Sequence, residues 1–127
     1  MSTEEIISLD NQTSIPALFR FRAQTLKNKV AMREKHFGIW RSFSWDQYYT
    51  NSTRIGKAMM TLGLESGQTV SILMALGLES GQTVSILADP CKEWLFFDLA
   101  AQCIGCVSCG IYATDSSPQI LHICKDS

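Results

Sequence analysis

Apolar and polar residues alternate along this chain with two different periods, and the changes of period mark its elements. From Ser14 the spacing is helical: Leu18, Phe19, Arg22 and Leu26 recur at helical intervals, Ser14 is placed to cap and Pro16 falls in the first turn. VAMREK at 30–35 then alternates weakly, HFG at 36–38 can turn, and IWRSFSW at 39–45 alternates clearly, which predicts a β-hairpin. Ser44 followed by Gln47 has the form of a capping box. It opens a second helix carrying Tyr48, Ser52, Ile55, Met59 and Leu62 on one face.

Residues 76–112 read as one strand–helix–strand unit. TVSIL at 83–87 is β-branched and apolar and follows the turn signal ESGQ at 79–82. Asp89 and Pro90 are the expected N-cap and first helical residue of the helix that follows. Residues 94–104 are apolar almost all round, with Lys92, Asp98 and Gln102 expected to share one solvated sector. Gly105 stops that helix, and CVSCGIY at 106–112 is an unalternating run suited to a strand buried on both faces. Two strands joined by such a helix should be parallel, with a right-handed crossover. SPQILHICKDS at 117–127 opens a last helix on a serine–proline signal, with no strand after it.

A repeat interrupts this order. MTLGLESGQTVSIL at 60–73 recurs as MALGLESGQTVSIL at 74–87, the copies differing only at Thr61 and Ala75. Two copies of so short a period do not make a solenoid, so the repeat reads as an in-frame duplication, recent or engineered. Both copies offer the same strand, and the connections choose between them. The second copy runs directly into Asp89 and Pro90, whereas using the first would place residues 74–88 between strand and helix. Displacing the first copy only lengthens a loop, at about 0.6 kcal/mol per doubling. Residues 83–87 are therefore the expected strand, with the first copy displaced into an edge strand or a short helix over 72–76.

The fold class expected is α/β: a small parallel β-sheet core with a βαβ unit, flanking helices and an N-terminal antiparallel hairpin. Residues 1–13, polar and irregular, are expected to be a flexible terminus, and 14–127 one partial domain. Apolar content of 46% against 18% charged is that of a packed domain. The formal charge of -1 gives no electrostatic basis for nucleic-acid binding. No apolar run reaches the roughly 18 residues of a spanning helix. The opening MSTEE is acidic and unlike an export signal, so the five cysteines are expected to be reduced thiols of a cytoplasmic protein.

With one copy set aside, the order of elements and the phrases VAMREK (30–35), GIWRSFSW (38–45), LGLESGQTVSIL (76–87), Glu93-Trp94, AAQCIGCVSCGIY (100–112) and SPQIL (117–121) carry a resemblance. Together they resemble the N-terminal segment of AMP-forming acyl-CoA synthetases of the adenylate-forming superfamily. The wording looks like that of bacterial long-chain fatty-acid–CoA ligases, and the similarity covers residues 15–127. The resemblance implies a two-step ligase that activates a carboxylate with ATP and Mg2+ to an acyl-adenylate and then forms a thioester with CoA. It also implies a cytoplasmic location, with full-length members able to sit at a membrane surface. The family's Ser/Thr/Gly-rich phosphate loop, ribose aspartate and lid lysine have no match here. What carries over is a partial AMP-binding domain with no catalytic, cofactor-binding or metal-binding residue, expected to be inert alone. Its expected partner is the missing remainder of the enzyme. The alternative is a non-catalytic interaction module or remnant, self-associating or binding through sheet edges or the last helix.

Other chemistry is weak on spacing. Cys103, Cys106 and Cys109 superficially suggest iron–sulfur ligation, but position 113 is alanine where a fourth cysteine belongs, and Cys124 beside His122 lies further on. His36 and His122 have no nucleophile placed beside them. Asp98 with Gln102 can form an inward polar pair, but a solvated or interface stripe is the expectation. Trp40, Phe43 and Trp45 are expected to pack rather than to form a platform for bases.

Overall fold

A computed structural model describes residues 14–61 and 82–126. Its order is α1 (Ile15–Leu26), β1 (Val30–His36), β2 (Ile39–Ser44), α2 (Trp45–Thr61), β3 (Thr83–Leu87), α3 (Lys92–Cys103), β4 (Val107–Ile111) and α4 (Ser117–Asp126). The expected flexible terminus at 1–13, Leu62, and the first copy of the repeat beyond Thr61 lie outside the described residues.

Local capping chemistry sets most of the helix starts. The Ser14 hydroxyl accepts from the Ala17 N–H at 3.3 Å and Pro16 sits in the first turn of α1. The capping box is complete: Gln47 N–H donates to Ser44 Oγ at 3.2 Å, and Ser44 N–H donates to Gln47 Oε1 at 2.9 Å. That box ends β2 at Ser44, so Trp45 is the first residue of α2 and not the last of the hairpin. Two other starts differ from expectation. α3 begins at Lys92 with Cys91 as its extended N-cap, and Asp89 is exposed in the preceding loop. Pro90 favours an extended residue before it. In place of a cap, Glu93 sits in the first turn, where a carboxylate favours the helix N-terminus. At α4 the residue before the helix acts: Ser116 N–H and Oγ both donate to Gln119 Oε1, at 2.8 and 2.7 Å.

β1 and β2 pair antiparallel with a register shift between Val30 and Met32. Their two-residue loop, Phe37-Gly38, has φ of +46° and +80°. β3 and β4 pair parallel, Val84 opposite Ser108 and Ile86 opposite Gly110. The second copy of the repeat is thus the strand.

α3 covers one face of this parallel pair. Val84 and Ile86 are buried with Ala100, Ala101, Met59 and Cys106. Trp94 lies so close over Gly110 that a Cβ there would come 3.1 Å from its ring. A second cluster, Phe19, Tyr48, Phe96 and Leu99, joins α1, α2 and α3, with Phe43 and Trp45 packed against it. The two helices behind the sheet cross closely because Gly56 has no side chain; a Cβ would sit 3.2 Å from Ile104 Cγ2 and 3.3 Å from the Ala100 carbonyl.

Burial of β4 on both faces does not hold. Val107 is 57% exposed and Leu87, across the pair from Ile111, is 39% exposed. Strand alternation puts both on the face away from α3, where Ser85 and Ile111 are nonetheless buried. α4 buries no residue and leaves Leu121 exposed. No described helix is long and apolar enough to cross a membrane.

Candidate functional site

Where the C-terminal ends of β3 and β4 approach the hairpin, a cleft of about 700 Å³ opens. Met32 and Glu34 of β1 form one wall, Pro90, Cys91 and Trp94 a second, and Ile111 with Tyr112 a third. The carboxyl ends of parallel strands are where open α/β sheets bind ligands, and this volume is in the range of small-molecule sites.

Four charged side chains among the described residues line the cleft, Arg33, Glu34, Lys35 and Lys92, and Lys92 is ion-paired. Lys92 Nζ lies 2.6 Å from Glu93 Oε1 and 2.9 Å from Glu34 Oε2, and 5.6 Å from the Phe43 ring centre. Hydrogen bonds to Glu93 and then Glu34 raise the Lys92 pKa above its usual value, and the same ammonium holds Glu93 below its own. A lysine held this way by two carboxylates has little attraction left for a phosphate. No histidine is among the described residues that line the cleft, and the Cys91 thiol on its wall is hydrogen-bonded to the Glu93 carboxylate. The arrangement can hold an apolar body with a polar end.

A second polar cluster ties α3 to β4. The Asp98 carboxylate accepts from Gln102 Nε2 at 3.0 Å, and Ser108 Oγ donates to the same oxygen at very short range. The Asp98–Gln102 pair is therefore a bridge into the sheet and not a solvated stripe, while Lys92 diverges from it toward the hairpin. Nearby, the Tyr48 hydroxyl donates to the Leu95 carbonyl at 3.3 Å. Burial, then the charges of Asp98 and Cys103, push the Tyr48 pKa up to about 12.

The thiols singled out on spacing are dispersed. Cys106 is in the cluster beneath β3, Cys103 packs against the other cluster, and Cys109 is half-buried on β4. Burial pushes the Cys103 and Cys106 pKa values up, which disfavours the thiolate. Among the described residues no three His, Cys, Asp or Glu side chains converge as a metal site requires. His36 meets Phe37 edge-on at the hairpin loop, and His122 faces Asp126 at 3.4 Å on α4. Phe43 and Trp45 pack as expected, but Trp40 is 63% exposed. Sequence reasoning did not find the Glu34–Lys92 pair or Ser108. For Ser108 a signal existed: it is a polar residue at a strand position facing a helix.

No family model matches the chain. The mouse long-chain-fatty-acid–CoA ligase ACSBG2 is 27% identical over 114 residues, covering 90% of this chain and 15% of that protein. The N-terminal subdomain of Klebsiella oxytoca NpsA superimposes with a TM-score of 0.69 at 16% identity, over 87% of this chain and 24% of that one. The fatty acid AMP ligase of Legionella pneumophila gives a TM-score of 0.64 at 17% identity, over 81% of this chain and 16% of that one. The chain therefore spans less than a quarter of each of these proteins. The likeness is to an N-terminal fragment of an adenylate-forming enzyme, and the mixed α/β fold is that of such a subdomain.

Proposed function

We propose that this chain is the first α/β layer of a fatty-acid–CoA ligase, catalytically inert until the rest of the enzyme packs on it. The observation that carries the proposal is a parallel strand pair whose face away from α3 is covered only in part, with Ser85 and Ile111 buried there but Leu87 and Val107 exposed. Parallel sheets are otherwise found with both faces covered, and Val107 and Leu87 leave part of this second face exposed. The partial coverage of each similar protein supports the same reading.

In this proposal the reaction is ATP-dependent activation of a fatty acid to acyl-AMP followed by thioester formation with CoA. For ATP and Mg2+ the described cleft is a poor fit: Lys92 is already ion-paired with Glu34 and Glu93, and the other cations of the cleft, Arg33 and Lys35, are exposed strand residues. The remainder of the enzyme would supply the phosphate-binding groups. This chain contributes the sheet on which they are mounted and the cleft wall beside them. None of the five cysteines is in a disulfide, which suits a reducing cytoplasm.

The test is a calorimetric titration of the 127-residue chain with a long-chain ligase from which the matching segment has been deleted. A one-to-one complex is expected, and Val107→Asp should abolish it while leaving the chain folded. Absence of a complex, or a complex indifferent to Val107→Asp, would refute the proposal.

A further inference from the structure

The place of β3 in the fold is specified by side chains that the chain carries twice. Val84 and Ile86 enter the cluster with Met59, Ala100, Ala101 and Cys106. Thr83–Leu87 pairs residue by residue with Val107–Ile111. The pairing begins one residue earlier, where the Val107 N–H donates to the Gln82 carbonyl at 2.9 Å. On the β3 side, each residue from 82 to 87 has an identical counterpart in 68 to 73, and the identity runs back to Leu76 and Leu62. Val70 and Ile72 would stand where Val84 and Ile86 stand, with no change of side chain. A slip of one residue would turn the apolar set to the wrong face. A slip of one whole repeat preserves it, so these contacts do not tell the copies apart.

The connections do, but they nearly cancel. With the second copy in place, residues 62–82 join α2 to β3 and residues 88–91 join β3 to α3. With the first copy in place, residues 62–68 would make the first connection and 74–91 the second. Each threading has one short connection and one long one. Closure entropy grows only as the logarithm of loop length, so the second copy is favoured by about twofold. The strand left out is TVSIL in either case, so its own apolar content favours neither.

We propose that β3 is exchangeable: residues 69–73 can take the place of Thr83–Leu87 beside β4 and beneath α3, giving the chain two folded states. The states differ at the cleft. Ala88, Pro90 and Cys91 line it from the short connection between β3 and α3. After exchange, Met74 follows the strand where Ala88 now stands, and Ala88 and Asp89 alone no longer tether Pro90 and Cys91 to the strand end. Trp94, on the same wall of the cleft, lies beside this change and reports it.

The chain is isotope-labelled at its tryptophan indole nitrogens and followed by nuclear magnetic resonance, with urea unfolding of its aspartate variants in parallel. Trp94 should give two indole signals in a ratio of about two to one. They stay separate because β3 must leave the buried cluster before the copies can exchange, which makes interconversion slow. Ile72→Asp bars the first copy and should leave only the stronger signal. Ile86→Asp bars the second and should leave only the weaker one, in a chain that stays folded with its aspartate in the displaced strand. The double variant has no strand to offer and should unfold. An Ile86→Asp chain as unfolded as the double variant would overturn the proposal. So would a folded Ile86→Asp chain with the same Trp94 signal as Ile72→Asp, or a double variant that stays folded.

Discussion

Shortening Ile86 and Val107 to alanine separates the covered face of the parallel strand pair from the partly open one. Ile86 is 0% exposed and lies in the cluster with Met59, Ala100 and Ala101. Ile86→Ala removes three carbons from that cluster, about 2–2.5 kcal/mol of transfer free energy at roughly 0.8 kcal/mol each. The space left between β3 and α3 cannot close fully, because Gly56 already brings α2 and α3 into close contact behind it. A cavity term should then raise the loss to about 3–4 kcal/mol. Val107 is 57% exposed, so Val107→Ala removes two carbons already largely in water and should cost less than about 1 kcal/mol. Urea unfolding followed by far-ultraviolet circular dichroism measures both in a chain carrying Ile72→Asp, which bars the first copy of the repeat from the place of β3, provided the denaturant slope is unchanged. For a domain holding about 5–10 kcal/mol, the first loss moves the midpoint by a third or more and the second barely moves it. Equal losses would refute this difference in burial between Ile86 and Val107.

Three further outcomes follow from the polar contacts. A double-mutant cycle of Asp98→Asn and Ser108→Ala should show a coupling of about 1–2 kcal/mol in urea unfolding, and additive losses would mean the bridge between α3 and β4 does not form. The Lys92 ion pairs should give stability at both ends of the pH range. Glu93 is held below its usual 4.5, so its share is present above that value and lost as pH falls through the depressed folded one. Lys92 is raised above its usual 10.5, so its share is present below that value and lost as pH rises through the raised one. Lys92→Met should therefore flatten both limbs of a melting-midpoint profile, and a profile of unchanged shape would contradict the pairing. Alkaline spectrophotometric titration should show a phenol ionising at about pH 12 that disappears in Tyr48→Phe; no change on that substitution would contradict the burial of Tyr48.

Features written within three or four residues were legible in the sequence. The Ser14 cap and the Ser44–Gln47 box depend on side chains reaching backbone groups one turn away, and both form. The choice of Thr83–Leu87 as the strand was legible because it rests on connection length, which needs no tertiary information. Asp89 was misread because a carboxylate before proline suits a cap only if the helix starts there, and the loop around the cleft delays the start to Lys92. The unalternating run of β4 predicts two covered faces, a property of whatever packs on the strand as well as of the strand itself. Partners distant in sequence left no spacing signal: Glu34 and Lys92 are 58 residues apart.

Acyl-dependent pyrophosphate release tests the central claim most directly, assayed for the purified chain alone and for the chain co-expressed with a ligase lacking the matching segment. The account predicts no release above a heat-killed control from the chain alone, and release dependent on fatty acid, ATP and Mg2+ once the two are combined. Release by the isolated 127 residues, or a combined pair as silent as its parts, would contradict it.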